Sequence, residues 1–117
     1  MDQQREKWLD KMVGELRAFS TGGDQVLFGT DVGYTDHYDT TMEFELMAKA
    51  GRDFGKVLAS LTTSPAVRFK AAAHFGRVQA GYDADLVVLD ADPVRDVRNF
   101  ARVRYTVRGG RTIYSKR

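Results

Sequence analysis

The chain has 117 residues and a formal net charge of +2, with 43% hydrophobic and 29% charged residues. This length and composition are those of one globular domain with a small core, and so small a charge does not by itself require a nucleic-acid or membrane partner. The absence of cysteine excludes disulfides, thiolate metal sites and a cysteine nucleophile.

The N-terminal residues predict a helix and no targeting segment. They are polar and lead into no apolar run of signal-peptide or membrane-spanning length, so we expect a cytoplasmic protein without a membrane partner. Residues 2 to about 19 predict an amphipathic helix, followed by a turn at Ser20–Asp24. Its apolar residues recur at three- and four-residue steps: Trp8, Leu9, Met12, Val13, Leu16 and Phe19.

A short apolar run, residues 25–29, predicts a strand covered on both faces, as in a parallel sheet. It ends in Gly29-Thr30-Asp31, and α/β enzymes place catalytic groups at the carboxyl ends of such strands. Asp31 is therefore a candidate catalytic residue, with capping of the next turn as the alternative. His37, in the polar and aromatic loop 32–39, is a candidate substrate contact, and otherwise an exposed loop residue.

Three short helices are predicted between residues 40 and 72. The first runs from about 41 to 50 and begins with a capping box between Thr40 and Glu43. Asp53 can cap a second helix that ends near Leu61, and Ser64-Pro65 begins a third that ends near residue 72.

Beyond Gly76 the pattern changes to that of strands. Residues 85–89 predict a strand, residues 97–100 an irregular segment or one helical turn, and residues 103–108 a strand with alternating apolar and basic side chains. Gly109-Gly110 predicts a hairpin turn before a returning strand. The predicted fold is α/β, with helices and one buried strand in residues 1–72 and a small antiparallel β unit in residues 73–117.

The charged residues leave two functional questions open. Asp31, Asp36, His37 and Asp39 lie close in sequence, but their spacing matches no common metal loop, so no self-contained metal site is predicted. Residues 97–117 hold seven Lys or Arg and no acidic residue. This basic hairpin could bind an acidic partner, or its charges could protect a sheet edge. Nucleic acid is not expected, because Tyr105 falls on the apolar side of the strand.

Several short motifs, in this order and spacing, resemble the C-terminal region of the metal-dependent amidohydrolase superfamily. The resemblance is strongest to its imidazolonepropionase- and prolidase-like branch and extends from about residue 25 to 114. The motifs are Gly29-Thr30-Asp31, Leu61-Thr62-Thr63-Ser64-Pro65-Ala66, Gly76-Arg77-Val78, Gly81-Tyr82-Asp83-Ala84-Asp85-Leu86-Val87-Val88-Leu89, Asp92-Pro93 and Val107-Arg108-Gly109-Gly110-Arg111-Thr112-Ile113-Tyr114.

The resemblance implies an enzyme that hydrolyses the C–N bonds of small amide-like molecules. In that family a (β/α)8 TIM barrel binds one or two divalent metal ions, usually zinc, and a small β-sandwich accompanies the barrel. Asp31 matches the aspartate that ends the eighth strand, which implies a metal ligand that also shuttles a proton while metal-activated water attacks. Residues 73–117 match part of the β-sandwich.

The family's other metal ligands have no counterpart here, and a barrel of this kind needs about 250 residues. We therefore expect a C-terminal fragment of an amidohydrolase, which is inactive and binds no metal alone. Its exposed apolar surfaces predict a homo-oligomer. Two alternatives are a free-standing interaction module that uses the basic C-terminal hairpin, and a complete small enzyme that uses Asp31 and His37.

Overall fold

The computed structural model describes residues 2–23 and 25–117. Met1 and Asp24, the last residue of the predicted turn, lie outside the described residues. The elements in chain order are α1 (Gln3–Thr21), α2 (Thr41–Lys49), α3 (Phe54–Leu61), α4 (Thr63–Arg68), β1 (Leu86–Leu89), a 3₁₀-helix (Val97–Ala101), β2 (Val103–Arg108) and β3 (Arg111–Ser115). The predicted α/β class with a small antiparallel β unit is confirmed. The (β/α)8 barrel stays a prediction.

Helix α1 begins at an aspartate cap and exposes much of its predicted apolar face. The Asp2 carboxylate accepts a hydrogen bond from the Gln4 N–H at 3.1 Å, which satisfies one of the free amide groups at the helix start. Val13 is buried, but Trp8 is 58% exposed and Phe19 is 50% exposed. Within the described residues, therefore, only part of the face that the sequence predicts for burial is covered.

The start of α2 differs from the predicted capping box. Thr40 makes no side-chain cap bond. Instead, the Asp39 carboxylate accepts from the Thr41 N–H at 2.9 Å and from the Thr41 hydroxyl at 2.6 Å. Thr40 has φ −92° and ψ 5°, outside the extended conformation that a capping residue normally adopts. The predicted cap of α3 is confirmed, because Asp53 accepts from the Lys56 N–H at 2.9 Å.

Helix α4 ends at Arg68, four residues before the predicted end. The Ala71 N–H donates to the Ala66 carbonyl at 2.7 Å, and the Lys70 N–H donates to the Val67 carbonyl at 3.1 Å. These two bonds form a Schellman motif, with Lys70 in the left-handed conformation at φ 57°. Glycine usually occupies that position. A lysine there does not indicate a helix end, so the end of α4 could not be predicted from the sequence.

The three strands form one antiparallel sheet in the order β1-β2-β3, which confirms the predicted hairpin between β2 and β3. Gly109 and Gly110 both have positive φ, as a tight two-residue turn between twisted strands requires. The turn is fixed to the segment before β1, because the Gly109 N–H donates to the Asp85 carboxylate at 2.8 Å and the Gly110 N–H to the Ala84 carbonyl at 3.0 Å.

The core joins the helices to the 3₁₀-helix. Its buried apolar members are Phe44, Met47, Val57 and Phe100, and partly buried residues of α1, residues 25–30 and β1 pack against them. The division into domains at residue 72 stays a prediction. None of the described helices combines the length and the apolar character needed to cross a membrane.

The predicted strand at residues 25–29 is wrong for the described part of the chain. Residues 25–30 form no ladder, and the Phe28 N–H instead donates to the Ser60 carbonyl at 3.1 Å. A strand is defined by hydrogen bonds to a neighbouring strand, and none lies beside this segment among the described residues. The predicted coverage on both faces is not observed either, since Leu27 is 37% exposed and Val26 and Phe28 are only partly buried. The apolar sequence therefore sets neither the pairing nor the full burial of this segment.

Candidate active site around Asp31

The segment that leads to Asp31 is held by aromatic packing. The ring of Phe28 stacks on that of Phe44 with centroids 4.7 Å apart, and Phe44 stacks in turn on Phe100 with centroids 5.2 Å apart. Together with the Phe28–Ser60 hydrogen bond, this stack fixes the chain to the core. Asp31 follows three residues later, at the point where the chain leaves the core for the loop of residues 32–39.

The backbone at Asp31 is left-handed, with φ 54°. Its carbonyl accepts from the Tyr34 N–H at 3.1 Å and from the Thr35 N–H at 3.3 Å, so the main chain of Asp31 holds a tight turn. Few residues other than glycine adopt this conformation, although aspartate and asparagine tolerate it best. The Asp31 side chain is exposed, and its carboxylate accepts no hydrogen bond from the described residues. The turn therefore uses the backbone of Asp31 and leaves the carboxylate available.

The loop after Asp31 carries exposed aromatic and polar side chains. Tyr34 is 88% exposed and Tyr38 is 77% exposed, and His37 lies between them, also exposed. Across residues 2–23 and 25–117, no three His, Asp or Glu side chains come together as a metal site would require. The donor set of a zinc ion therefore does not fit the described residues alone, because they offer Asp31 and too few other donors near it.

A groove with a volume of about 690 Å³ lies between α4 and β1. Its lining is mainly apolar and includes Leu61, Phe69, Val87 and Phe100. Neither Asp31 nor His37 lines it. Local sequence patterns do not predict this groove, because its lining residues come from separate segments that each match the pattern of an ordinary core.

The basic side chains of the C-terminal hairpin are partly engaged within the fold. Asp90 accepts from Lys116 Nζ at 2.6 Å and from Arg104 Nε at 2.7 Å, and these two hydrogen bonds lower the pKa of Asp90. Hydrogen bonds from Arg98, first from its side chain and then from its N–H, lower the pKa of Asp96 to about 2. These cations join parts of the β unit, which leaves fewer of them for the acidic partner of the interaction-module alternative.

Comparison with known proteins places the chain in a family. The model of the amidohydrolase family matches residues 4–114, so the chain belongs to that family. The predicted resemblance to the amidohydrolase superfamily is thereby confirmed. The amidohydrolase tasK of Hapsidospora irregularis is 43% identical over 44 residues, which are 38% of this chain and 4% of that protein.

Solved structures show the same likeness over most of the chain. A Xaa-Pro dipeptidase with methionine bound in its active site has a TM-score of 0.79 and 25% identity, covering 89% of this chain and 25% of that one. A prolidase complexed with N-methylphosphonate-L-proline has a TM-score of 0.75 and 28% identity, covering 89% of this chain and 26% of that one. The chain thus spans about a quarter of the length of these structures.

Proposed function

We propose that this chain forms the C-terminal part of an amidohydrolase that hydrolyses C–N bonds in small amide-like molecules, with Asp31 as its catalytic carboxylate. The observation that carries the proposal is the family match over residues 4–114, which includes the exposed Asp31 turn anchored by Phe28. Because the chain spans only about a quarter of the solved relatives, we propose the activity for the complete enzyme and expect the 117 residues alone to be inactive.

The proposed role of Asp31 is that of a proton carrier. Its carboxylate accepts a proton from the water that attacks the carbonyl carbon and delivers that proton to the leaving nitrogen. A C–O bond forms and the C–N bond breaks, so the carboxylate is regenerated at the end of the cycle. The family implies one or two divalent metal ions, usually zinc. Since the described residues do not make up their donor set, Asp31 would be one ligand among several.

His37 is proposed as a substrate contact. It lies six residues after Asp31 in an exposed loop, and its imidazole can donate or accept a hydrogen bond. A contact of this kind binds the ground state and the transition state equally, so His37→Ala should raise KM several-fold with kcat nearly unchanged. A fall in kcat without a rise in KM would contradict the role of His37 as a substrate contact.

A cytoplasmic location stays a prediction from the sequence.

The proposal is tested by a chimera in which residues 4–114 replace the matching segment of the Xaa-Pro dipeptidase relative. Xaa-Pro dipeptides are the first substrates to test, because the names of two solved relatives point to them. The chimera should hydrolyse them, and Asp31→Asn should lower kcat at least about 100-fold, as expected for loss of a general acid–base group. Asp36→Asn, a change of the same type in the exposed loop, is the matched control and should keep the activity.

Three results would contradict the proposal. The first is an active chimera whose kcat is unchanged by Asp31→Asn. The second is an inactive chimera that folds and remains inactive when the prolidase relative serves as the scaffold. The third is hydrolysis by the isolated 117-residue chain, or stoichiometric zinc that it binds through Asp31 and loses in Asp31→Asn, which would favour the complete small enzyme instead.

A further inference from the structure

Four phenylalanine rings form one row through the core. Phe28 stacks on Phe44, and Phe44 stacks on Phe100. Phe100 also stacks on Phe54 of α3, with centroids 5.7 Å apart and planes inclined by 14°. Phe44 and Phe100 are only 3% and 8% exposed, so the middle of the row is closed to solvent. The row joins three parts of the molecule, which are the segment that leads to Asp31, the helices α2 and α3, and the 3₁₀-helix before β2.

The 3₁₀-helix that carries Phe100 is fixed to the β unit. Its neighbour Asn99 is buried, and the Asn99 side-chain amide donates to the Asp92 carbonyl at 2.9 Å. The Asp90 N–H donates to the Arg102 carbonyl at 2.8 Å, which ties the end of the same turn to the end of β1. The ring of Phe100 therefore has a set place relative to the sheet and brings the β unit into contact with α2.

The other end of the row governs the approach to Asp31. Only two residues separate Phe28 from Asp31, a span of at most about 10 Å. The hydrogen bonds that Tyr34 and Thr35 donate to the Asp31 carbonyl are internal to the loop, so they shape the turn without tying it to the core. The ring and N–H of Phe28 are the nearest core contacts before the turn. All of these contacts lie within the chain, so they do not depend on the segments that a complete enzyme would add.

We propose that Phe100 is a positioning residue, which acts through Phe44 and Phe28 to set the place of the Asp31 carboxylate. Close-packed interiors transmit a displacement instead of absorbing it, so a change at Phe100 moves the Phe28 ring. Proton transfer requires a donor and an acceptor about 2.6–3.2 Å apart, and a misplacement of about 1 Å can lower a rate about 100-fold. This role rests on the proposed function of Asp31 and adds a residue of the β unit to those that govern the rate.

Phe100→Leu in the chimera of residues 4–114 tests this role. Leucine keeps an apolar side chain but removes the ring that contacts Phe44, so kcat per folded enzyme should fall about tenfold. The KM should stay within about twofold, because Phe100 is not proposed to contact the substrate. Gly76→Ala is the matched control, since its added Cβ would overlap with Thr62 and Ala66, outside the row of rings. It should destabilise the chimera but keep kcat per folded enzyme, with circular dichroism giving the folded fraction.

A double mutant shows whether the rings act as one row. Phe28 and Phe100 both stack on Phe44, and each lies at one side of that ring pair. Phe28→Leu interrupts the row, so adding Phe100→Leu should lower kcat little further than the larger of the two single effects. A double mutant whose loss of kcat equals the product of the two single losses would overturn the positioning role.

Amide hydrogen exchange in the unaltered 117-residue chain and its variants tests the packing without any activity. Phe100→Leu should raise the exchange rates of the Phe28, Tyr34 and Thr35 N–H groups about fivefold relative to the amides of α1, because the segment and its turn lose their support. Gly76→Ala should change these three amides no more than those of α1. If Phe100→Leu left them unchanged relative to α1, the positioning role would be overturned whether or not the chimera is active.

The two proposals fail in different ways. A chimera that loses kcat with Asp31→Asn, but keeps it with Phe100→Leu, would overturn the positioning role and leave the proposed function intact. An equal loss of kcat per folded enzyme in Phe100→Leu and Gly76→Ala would also overturn the positioning role, because any destabilisation of the fold would then have the same effect.

Discussion

The rings of Phe28 and Phe44 stack nearly parallel, with centroids 4.7 Å apart and planes inclined by 7°. Phe28 belongs to the segment of residues 25–30 that leads to Asp31, and Phe44 is a buried residue of α2. Because residues 25–30 form no strand in the described chain, this contact and the Phe28–Ser60 hydrogen bond hold the segment in place. The position of the candidate catalytic residue therefore depends on an aromatic contact between a loop and a helix.

This dependence predicts a measurable coupling between the two rings. Phe28→Leu should lower the free energy of unfolding by about 1–2 kcal/mol, because it removes ring packing from a partly buried site. The double mutant with Phe44→Leu should show a coupling energy of about 1 kcal/mol in urea unfolding. Tyr34→Leu, at an exposed ring, is the control and should change stability by less than about 0.5 kcal/mol. Additive effects of Phe28→Leu and Phe44→Leu would show that the stack contributes nothing of its own.

The sequence predicted those elements whose signals are local. The three- and four-residue spacing of apolar side chains identified α1. The Asp53 cap located the start of α3, and Gly109-Gly110 located the hairpin turn, as the structure confirms. Two local predictions failed for physical reasons. The nearby Asp39 carboxylate caps α2 in place of Thr40, and Lys70 adopts a left-handed conformation for which a lysine gives no sequence signal.

The candidate site was predictable only in part. The position of Asp31 after an apolar run, and the family motif around it, singled out this carboxylate, whose catalytic role stays a prediction. Its left-handed backbone was not predictable, because the turn depends on hydrogen bonds from Tyr34 and Thr35 to its carbonyl. The groove between α4 and β1 was also missed, since it exists only when distant segments are packed together. Properties that depend on pairing or packing between separate segments are not encoded in local sequence patterns.

Gly76 should be the least replaceable glycine of the motif region. A Cβ atom added there would lie 2.8 Å from the Thr62 carbonyl oxygen and 2.9 Å from the Ala66 Cβ, at a backbone φ of 93°. Gly76→Ala should therefore lower the free energy of unfolding by about 2–4 kcal/mol, through steric overlap as well as backbone strain. Gly81→Ala, at φ 88° with no atom within 4 Å, isolates the strain and should cost only about 1 kcal/mol. Urea unfolding measures both variants. If Gly76→Ala and Gly81→Ala lowered the free energy of unfolding equally, the close contacts of residue 76 with Thr62 and Ala66 would not contribute to the loss.

Asp96 should make the fold sensitive to acid. Hydrogen bonds from Arg98 hold the pKa of Asp96 at about 2, below its ordinary value of 3.8. A depressed pKa means that the folded state favours the carboxylate, so this stabilisation is present above pH 3.8 and is lost as the pH falls to about 2. Asp96→Asn can still accept the N-terminal hydrogen bond of the 3₁₀-helix, but it cannot titrate. The variant should therefore lose less stability than the unaltered chain between about pH 4 and pH 2.

Urea unfolding at several pH values measures this difference between the variant and the unaltered chain. Asp36→Asn removes a carboxylate from the exposed loop and is the matched control, which should keep the pH dependence of the unaltered chain. If Asp96→Asn lost stability over this range as steeply as the unaltered chain does, the Arg98 hydrogen bonds would not be a source of acid sensitivity.

Two substitutions of Asp31 separate the effect of its left-handed backbone from the effect of its carboxylate. Asparagine tolerates φ 54° about as well as aspartate does, so Asp31→Asn should change the free energy of unfolding by less than about 0.5 kcal/mol. A β-branched residue does not tolerate that conformation, so Asp31→Val should lower the free energy by about 1–2 kcal/mol. Thermal or urea unfolding of the isolated chain measures both. If the two variants were equally stable, the turn would not constrain residue 31. If Asp31→Asn were strongly destabilised, the loss of kcat expected of that variant could not be assigned to chemistry alone.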